Sequence, residues 1–407
     1  MNSLCFCSAA FGSWGIVRLG TLVPECKMLF VCPYSCGRHN SIGAIQHGYK
    51  DRVSYLFIDE KDVALGTMYD DIPKTVHTLV SSEPKPKVVL IYFSCVLYMS
   101  GFDWDAIIEE ISQEYPEIQF RACMMNPVAS ETSDPPVPAM IRTLCSLWNK
   151  DAGSAKTVNL LGPYSKLSPE CELYTVLQAC GAQDLLHFTN AQTYDDYALM
   201  GSSMLNLVIR PEGLLAAKAW SDTMNYCFLP VSYNLAEVSG QYETIFEALG
   251  AKTDLAPYYD AVTTAIEKAR AMIGDLPIAV CSSATCRPFG LAKALVEYGF
   301  TVSDVFSDGC AFYDAEAKTW LAERGGVAFH EIHDPSLVEQ VGHIGTAQIA
   351  IGFMAGYYSG APHVVNLMLD EGHFGFYGII HLMEMLRDAA ATQSSLEACI
   401  ERYGLII

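Results

Sequence analysis

Short β-rich runs alternate with longer stretches of helical period, and the alternation restarts twice along the 407-residue chain. Consecutive strands that pair in parallel need a crossover of a dozen or more residues, which a helix supplies, so the pattern confines the chain to mostly parallel sheets covered by helices. The first series is "KMLFV" at 27–31, "VSYLFI" at 53–58, "KVVLIYF" at 87–93 and "IQFRACMM" at 118–125. Between the last two, "WDAIIEEISQEY" at 104–115 carries a helical apolar stripe. A second series opens with "TVNLLGPYS" at 157–165, passes through a helix ending at Gly181, and continues in "LNLVIR" and "CFLPVSY". The third starts at "LPIAVCSSATC" and adds "GVAFHEI", "AQIAIGFM" and "HVVNLML". Three α/β domains are expected, at 1–150, 151–275 and 276–407, with a helix in "GFYGIIHLMEMLRDAAA" packing back on the body. The one proline-rich stretch, "SETSDPPVPAM" at 130–140, reads as an irregular crossing between domains.

Charge and missing motifs remove several functions. A formal net charge of −21 repels phosphate backbones, so nucleic acid is not an expected partner. No run reaches the roughly 18 to 20 apolar residues of a membrane helix, and "MNSLCFCSAAFGSW" lacks the charged start of a secretory signal. A cytoplasmic protein without membrane association is expected. No G-x-x-x-x-G-K-[ST] loop is present to hold ATP, and no G-x-G-x-x-G follows a strand. H-E-x-x-H, G-x-S-x-G and C-x-x-C are absent as well, which leaves the thiols as the main chemical signal.

Of the fifteen cysteines, Cys5, Cys7, Cys26, Cys32 and Cys36 fall in the first 36 residues, and Cys95 follows shortly. In parallel α/β units the loops after the strands gather at one crevice. Cys32 and Cys36 follow "KMLFV", and Cys95 follows "KVVLIYF" with one serine between, so thiols from two strands can meet there, joined by Cys7. Soft thiolates select iron–sulfur clusters, zinc or copper. The competing reading is a set of reduced thiols with no ligand role, and for Cys5, Cys26 and Cys32 that spectator reading stands level with a supplementary ligand role.

The segments "CSAAFGSWGI", "VCPYSCGRHN", "FIDEKDVALG" and "VLIYFSCVLYMSGFDWDAI", in that order, resemble the cysteine motifs of the nitrogenase component 1 family. That family includes nitrogenase molybdenum–iron protein subunits, nitrogenase-like reductases and cofactor scaffolds. Cys7 opens a small-residue segment, Pro33 and Cys36 keep the register of a His-Gly-Pro-x-Gly-Cys motif, and Cys95 precedes Gly101 and Asp103. Glu60, Lys61, Asp62 and Gly66 match an acidic segment between the last two motifs. "VNLLGPYS" and "GFYGIIHLMEML" extend the resemblance over nearly the whole chain.

The resemblance implies three Rossmann-like domains and pairing with a homologous component 1 subunit or a second copy of the chain. It implies an iron–sulfur cluster, 4Fe–4S or larger, at the subunit interface, with Cys7, Cys36 and Cys95 as metal ligands and Arg38 beside them tuning the cluster. Electrons would come from a separate P-loop iron protein that hydrolyses ATP. The activity so implied is a nitrogenase-like oxidoreductase, and the alternative is a scaffold for cofactor assembly on the same fold. Two departures bear on the substrate. Val31, Cys32 and Ser35 replace the histidine and glycines of the second motif. Where the family holds its active-site cofactor by a cysteine, "LNLVIRPEGLL" offers Arg210, and His363 is the nearest match to the cofactor histidine, expected to face a substrate cavity. A molybdenum-type cofactor and dinitrogen reduction are therefore not expected, and the substrate and any second metal or organic cofactor stay open.

Overall fold

The computed structural model describes residues 16–126, 129, 132–150, 153 and 155–392. Their thirteen strands form three sheets, each wholly parallel. The first contains β1 (Cys26–Cys32), β2 (Val53–Phe57), β3 (Val88–Ser94) and β4 (Gln119–Met125) in the order β2-β1-β3-β4. The second contains β5 (Thr157–Leu161), β6 (Asp184–Leu186), β7 (Leu205–Val208) and β8 (Asn225–Phe228) in the order β6-β5-β7-β8. The third runs β11-β10-β9-β12-β13, from β9 (Ile278–Cys281), β10 (Val302–Ser307), β11 (Ala328–Glu331), β12 (Ile349–Ile351) and β13 (His363–Val365). The expected α/β architecture of three mostly parallel sheets is thus what the chain adopts.

Strands buried on both faces read as near-continuous apolar runs, and β1 and β3, buried along their whole length, are apolar except at Lys27 and Ser94. Side chains alternate across the sheet, so Met28, Phe30 and Cys32 of β1 join one core while Leu29 and Val31 join the other. Phe30 stacks on its cross-strand partner Tyr92 at 4.4 Å between ring centroids. Truncating such a buried ring to alanine costs about 3–5 kcal/mol. The Phe30 face shares a continuous core with Leu161, Val208 and Trp220, which joins the first sheet to the second. A further core runs without a break from Val158 and Leu207 to Ile278 and Ile351 and joins the second sheet to the third.

"SETSDPPVPAM" is only partly irregular, because Pro136–Cys145 is a helix. Proline in a first helical turn forfeits no internal hydrogen bond, so Pro136 and Pro138 start this helix without breaking it. The last described helix, Gly375–Ala391, packs against the helices Leu235–Leu249 and Ala256–Ile273. Its first turn is held by Glu172, whose carboxylate accepts from Phe376 N at 2.7 Å, Tyr377 N at 2.9 Å and Tyr242 Oη at 2.5 Å. Gly375 is required there. Its φ of 62° is left-handed, and a Cβ would collide with Glu172 Oε1.

Among the described residues, no helix is long and apolar enough to cross a membrane.

Candidate functional site

The order of strands fixes where functional groups can gather. In an open parallel sheet the chain leaves adjacent strands toward opposite faces at one point, and a crevice opens there beyond the strand C-termini. In the first sheet that point lies between β1 and β3, in the second between β5 and β7, and in the third between β9 and β12.

Cys36 and Cys95 flank the first of these points. Cys36 lies in the opening turn of the helix Tyr34–Gln46, which follows β1, and Cys95 is the first residue of the helix Cys95–Met99, directly after β3. β1 and β3 are hydrogen-bonded neighbours, with Val31 opposite Phe93, so both thiols emerge at one sheet edge. Cys36 is exposed and Cys95 half-buried, and neither is in a disulfide. Cys32, the last residue of β1, behaves differently. It is wholly buried, and burial, with the nearby Cys36 sulfur adding to it, pushes its thiol up to about 12, which keeps it protonated. Cys26 is likewise buried and pushed up to about 12 by burial. Arg38 stands exposed on the same helix as Cys36. Cys7 and Cys5 lie outside the described residues. Among the described residues no three histidine, cysteine or acidic side chains are grouped to hold a metal ion, and the accessible thiols at this edge are Cys36 and Cys95.

The rim of the same edge is apolar and open. Tyr34 is 72% exposed and packs its ring 4.9 Å from that of Phe57, itself 43% exposed, while Tyr98 and Met99 beyond Cys95 are 50% and 68% exposed. Exposed apolar patches of this kind occur at protein, membrane and ligand contact sites.

The crevice edges of the second and third sheets meet in a buried polar network that the sequence left almost unannounced. Arg210, just beyond β7, donates through Nη1 to Asp370 Oδ2 at 3.0 Å and to Leu369 O at 2.7 Å, and through Nη2 to Glu212 Oε1 at 2.8 Å. Gly162 permits this approach, since a Cβ there would stand 2.6 Å from Arg210 O. Asp370 also accepts from Cys286 N at 3.0 Å and from Tyr233 Oη at 3.0 Å. Burial raises the Asp370 pKa, and the Arg210 charge opposes that rise without cancelling it. Tyr233 Oη lies 3.2 Å from His373 Nδ1, and His373 Nε2 lies 2.8 Å from His381 Nδ1. Burial, with the neighbouring His381 second, lowers His373 to about 3, so this imidazole is neutral.

His363 is elsewhere. It opens β13, and its Nδ1 sits 2.9 Å from Ala389 O and 3.0 Å from Thr392 O, at the C-terminal end of the last helix. Carbonyl oxygens only accept, so Nδ1 carries a proton and closes that helix end. The residue stands at the opposite edge of the third sheet from Asp370 and does not face the crevice. Asp370 and Tyr233 escaped sequence reasoning because an acid in a loop and a tyrosine in an apolar run carry no periodic signal. The only hint was an arginine at the end of a strand of buried residues.

Comparison with known proteins bears on all of this. The family described as nitrogenase component 1 type oxidoreductase matches residues 13–390. A solved structure titled "Nitrogenase Cp1 at pH 6.5" superposes with a TM-score of 0.71 at 14% identity, covering 93% of this chain and 91% of that one. A second, "Nitrogenase Cp1 at pH 5", gives 0.59 at 13% identity, covering 92% and 87%. At such identities the superpositions speak for the fold.

Proposed function

We infer the function from the family to which this chain belongs, the nitrogenase component 1 type oxidoreductases. The chain acts as one subunit of a nitrogenase-like reductase that takes low-potential electrons from an ATP-dependent P-loop iron protein and delivers them to a substrate other than dinitrogen. The observation that carries this reading is the emergence of Cys36 and Cys95 together at the switch point of the first sheet, inside an apolar rim.

The donor set fits an iron–sulfur cluster in chemistry: two thiols free of disulfide, accessible, in the first turns of helices that a rigid sheet positions. Cys36 and Cys95 ligate from this edge, with Cys7 as the third thiol, and Arg38 supplies a fixed positive charge beside them. Such a cluster, when bound, supplies a one-electron store. Cys32 and Cys26 are wholly covered in the strand that carries them, which sets them apart from the accessible Cys36 and Cys95. Tyr34, Phe57, Tyr98 and Met99 are covered by a homologous subunit or a second copy, which buries their apolar surface and shields the site from water. The protein works in the cytoplasm.

The crevice between the second and third sheets is the place for the substrate. A guanidinium has no lone pair to give a metal, and that of Arg210 is tied to two carboxylates there. A metal cofactor anchored at this position does not fit, which is why dinitrogen is not the proposed substrate.

Anaerobic purification with iron and acid-labile sulfide analysis tests the reading. Iron and sulfide in near-equal amounts, with an electron paramagnetic signal on reduction, are expected. Protein never exposed to oxygen and yet free of iron would overturn it. Mixing the reduced protein with its iron protein and ATP then separates repeated turnover, expected of a reductase, from release of a cluster to another protein, expected of a scaffold.

A further inference from the structure

We propose that residues 308–314 form a strap across the substrate crevice, which swings open to admit the substrate and closes by laying Phe312 and Tyr313 on Phe228. The proposal deepens the reductase reading, because it rests on the crevice between the second and third sheets as the place of the substrate.

The segment leaves β10 after Ser307 and runs into the helix Ala315–Arg324, so its backbone belongs to the third sheet. Its rings reach the second. Phe228, the last residue of β8, lies 6.2 Å from Phe312 and 5.6 Å from Tyr313 between ring centroids, and the rings of Phe312 and Tyr313 are 5.1 Å apart. This three-ring contact bridges the two sides of the crevice. Burial pushes the Tyr313 hydroxyl up, and the next groups to act on it are Cys286, Glu212 and Arg210, so Tyr313 stands beside the polar groups of the crevice.

The way the segment is held distinguishes a strap from a fixed wall. Its far end is anchored, because the buried Asp314 carboxylate accepts from Phe289 N at 2.9 Å and from Gly290 N at 2.8 Å, with Arg287 Nε 3.7 Å away. Its middle is not. The hydrogen bonds of residues 308–313 all stay within 307–314, where Ser307 Oγ pairs with Gly309, the Cys310 thiol with Ala311 O, and Asp314 N with Ala311 O. Asp308, Gly309, Cys310 and Phe312 are exposed, Phe312 to 76%. A segment with an exposed backbone and no hydrogen bond to the body opens locally at low free energy. Gly309, at φ 148°, lies in a region that a residue without Cβ enters freely, and it stands where a hinge between β10 and the rings must be. A ring contact that can be broken without unpairing any backbone group is what a gate over a reaction site requires.

The test reads the half-buried Cys286 thiol and needs no cluster, electron donor or substrate, so its failure is distinguishable from failure of the reductase reading. The full chain, kept free of oxygen, is treated with N-ethylmaleimide at mildly alkaline pH, and the modified peptides are timed by mass spectrometry. Cys310, exposed on the strap, and the buried Cys281 mark the fast and slow limits. In Phe228→Ala, which removes the ring that holds the strap shut, Cys286 should react about tenfold faster while Cys281 stays protected. If that variant fails to fold, Phe312→Ala, at an exposed ring, should have the same effect. The reverse arm closes the strap: in the double variant Phe228→Cys, Phe312→Cys, built on Cys310→Ser, oxidation of the two new thiols to a disulfide should slow Cys286 by about tenfold or more, and reduction should restore its rate. Equal Cys286 rates in the wild type and the folded alanine variant, or a disulfide-closed chain that reacts as fast as its reduced form, would overturn the proposal.

Discussion

Arg210 and Asp370 stand 160 positions apart in the chain and meet at 3.0 Å, with almost nothing of either side chain exposed. The pair ties the crevice edge of the second sheet to that of the third. Removing one partner of a buried ion pair costs up to about 3–5 kcal/mol, and Glu212, which stays on Arg210, offsets part of that here. Asp370→Asn should lower unfolding stability by that order in urea titrations. The double variant Arg210→Met, Asp370→Leu should recover part of the loss, and a single-variant effect within about 1 kcal/mol would mean that the pair does not hold the two sheets together.

Cys36→Ser and Cys95→Ser should each yield anaerobically purified protein that has lost most of its iron while keeping a wild-type circular dichroism spectrum. Cys32→Ser is the control. Its buried thiol should prove dispensable for iron while costing about 1–2 kcal/mol of stability, since a hydroxyl placed at the end of β1 lacks the apolar fit. Equal iron loss in all three would show that Cys32 belongs to the ligand set.

Tyr34 and Tyr98 present exposed rings on the two helices that carry Cys36 and Cys95. Placing charge in such a surface penalises its burial by several kcal/mol. The double variant Tyr34→Glu, Tyr98→Glu should therefore weaken association with the partner subunit, or self-association, by about a hundredfold or more in sedimentation equilibrium. An unchanged association constant would place the interface elsewhere.

Asp314 and His187 act on acid stability in opposite directions. Burial raises Asp314 from 3.8 to about 6, so between those values the native state binds more protons than the unfolded chain and stability falls as pH rises. Burial lowers His187 from 6.5 to about 4, so the native state binds fewer protons in that window and stability falls as pH drops. Between about pH 4 and 6 the two slopes oppose each other, each up to about 1.4 kcal/mol per pH unit. Asp314→Asn should make stability climb more steeply with pH over this range, and His187→Gln should make it climb less. Urea midpoints measured across the window decide both signs.

Much of the architecture could be read before any coordinates. The runs at 27–31 and 87–93 lie on β1 and β3 because parallel strands buried on both faces leave a continuous apolar signature, while those at 53–58 and 118–125 fall on the half-buried edge strands β2 and β4. Placing Cys36 and Cys95 after two strands was equally legible, and their emergence at one sheet edge followed once β1 and β3 proved adjacent. Other features had no local trace. The helix Pro136–Cys145 was hidden by prolines that look like breakers and serve as a start. "HVVNLML" reads as one strand, yet only His363–Val365 pairs, which puts His363 at the entry of the strand and away from the crevice. Asp370 follows Leu369, and both adopt left-handed backbone conformations that neither residue type announces. Its partner Arg210 is fixed by the tertiary fold alone.

The clasp of Glu172 on Phe376 and Tyr377 spans more than half the chain, with 204 and 205 positions between donor and acceptor. During synthesis the second sheet emerges long before either backbone amide exists, and both Glu172 and Arg210 must wait in water for their partners. At the usual rate of about 5–20 residues per second that delay is on the order of ten seconds or more. The nascent second unit is thus a half-finished hinge, open to solvent and to folding helpers, and it latches shut only when residues 370–377 clear the ribosome.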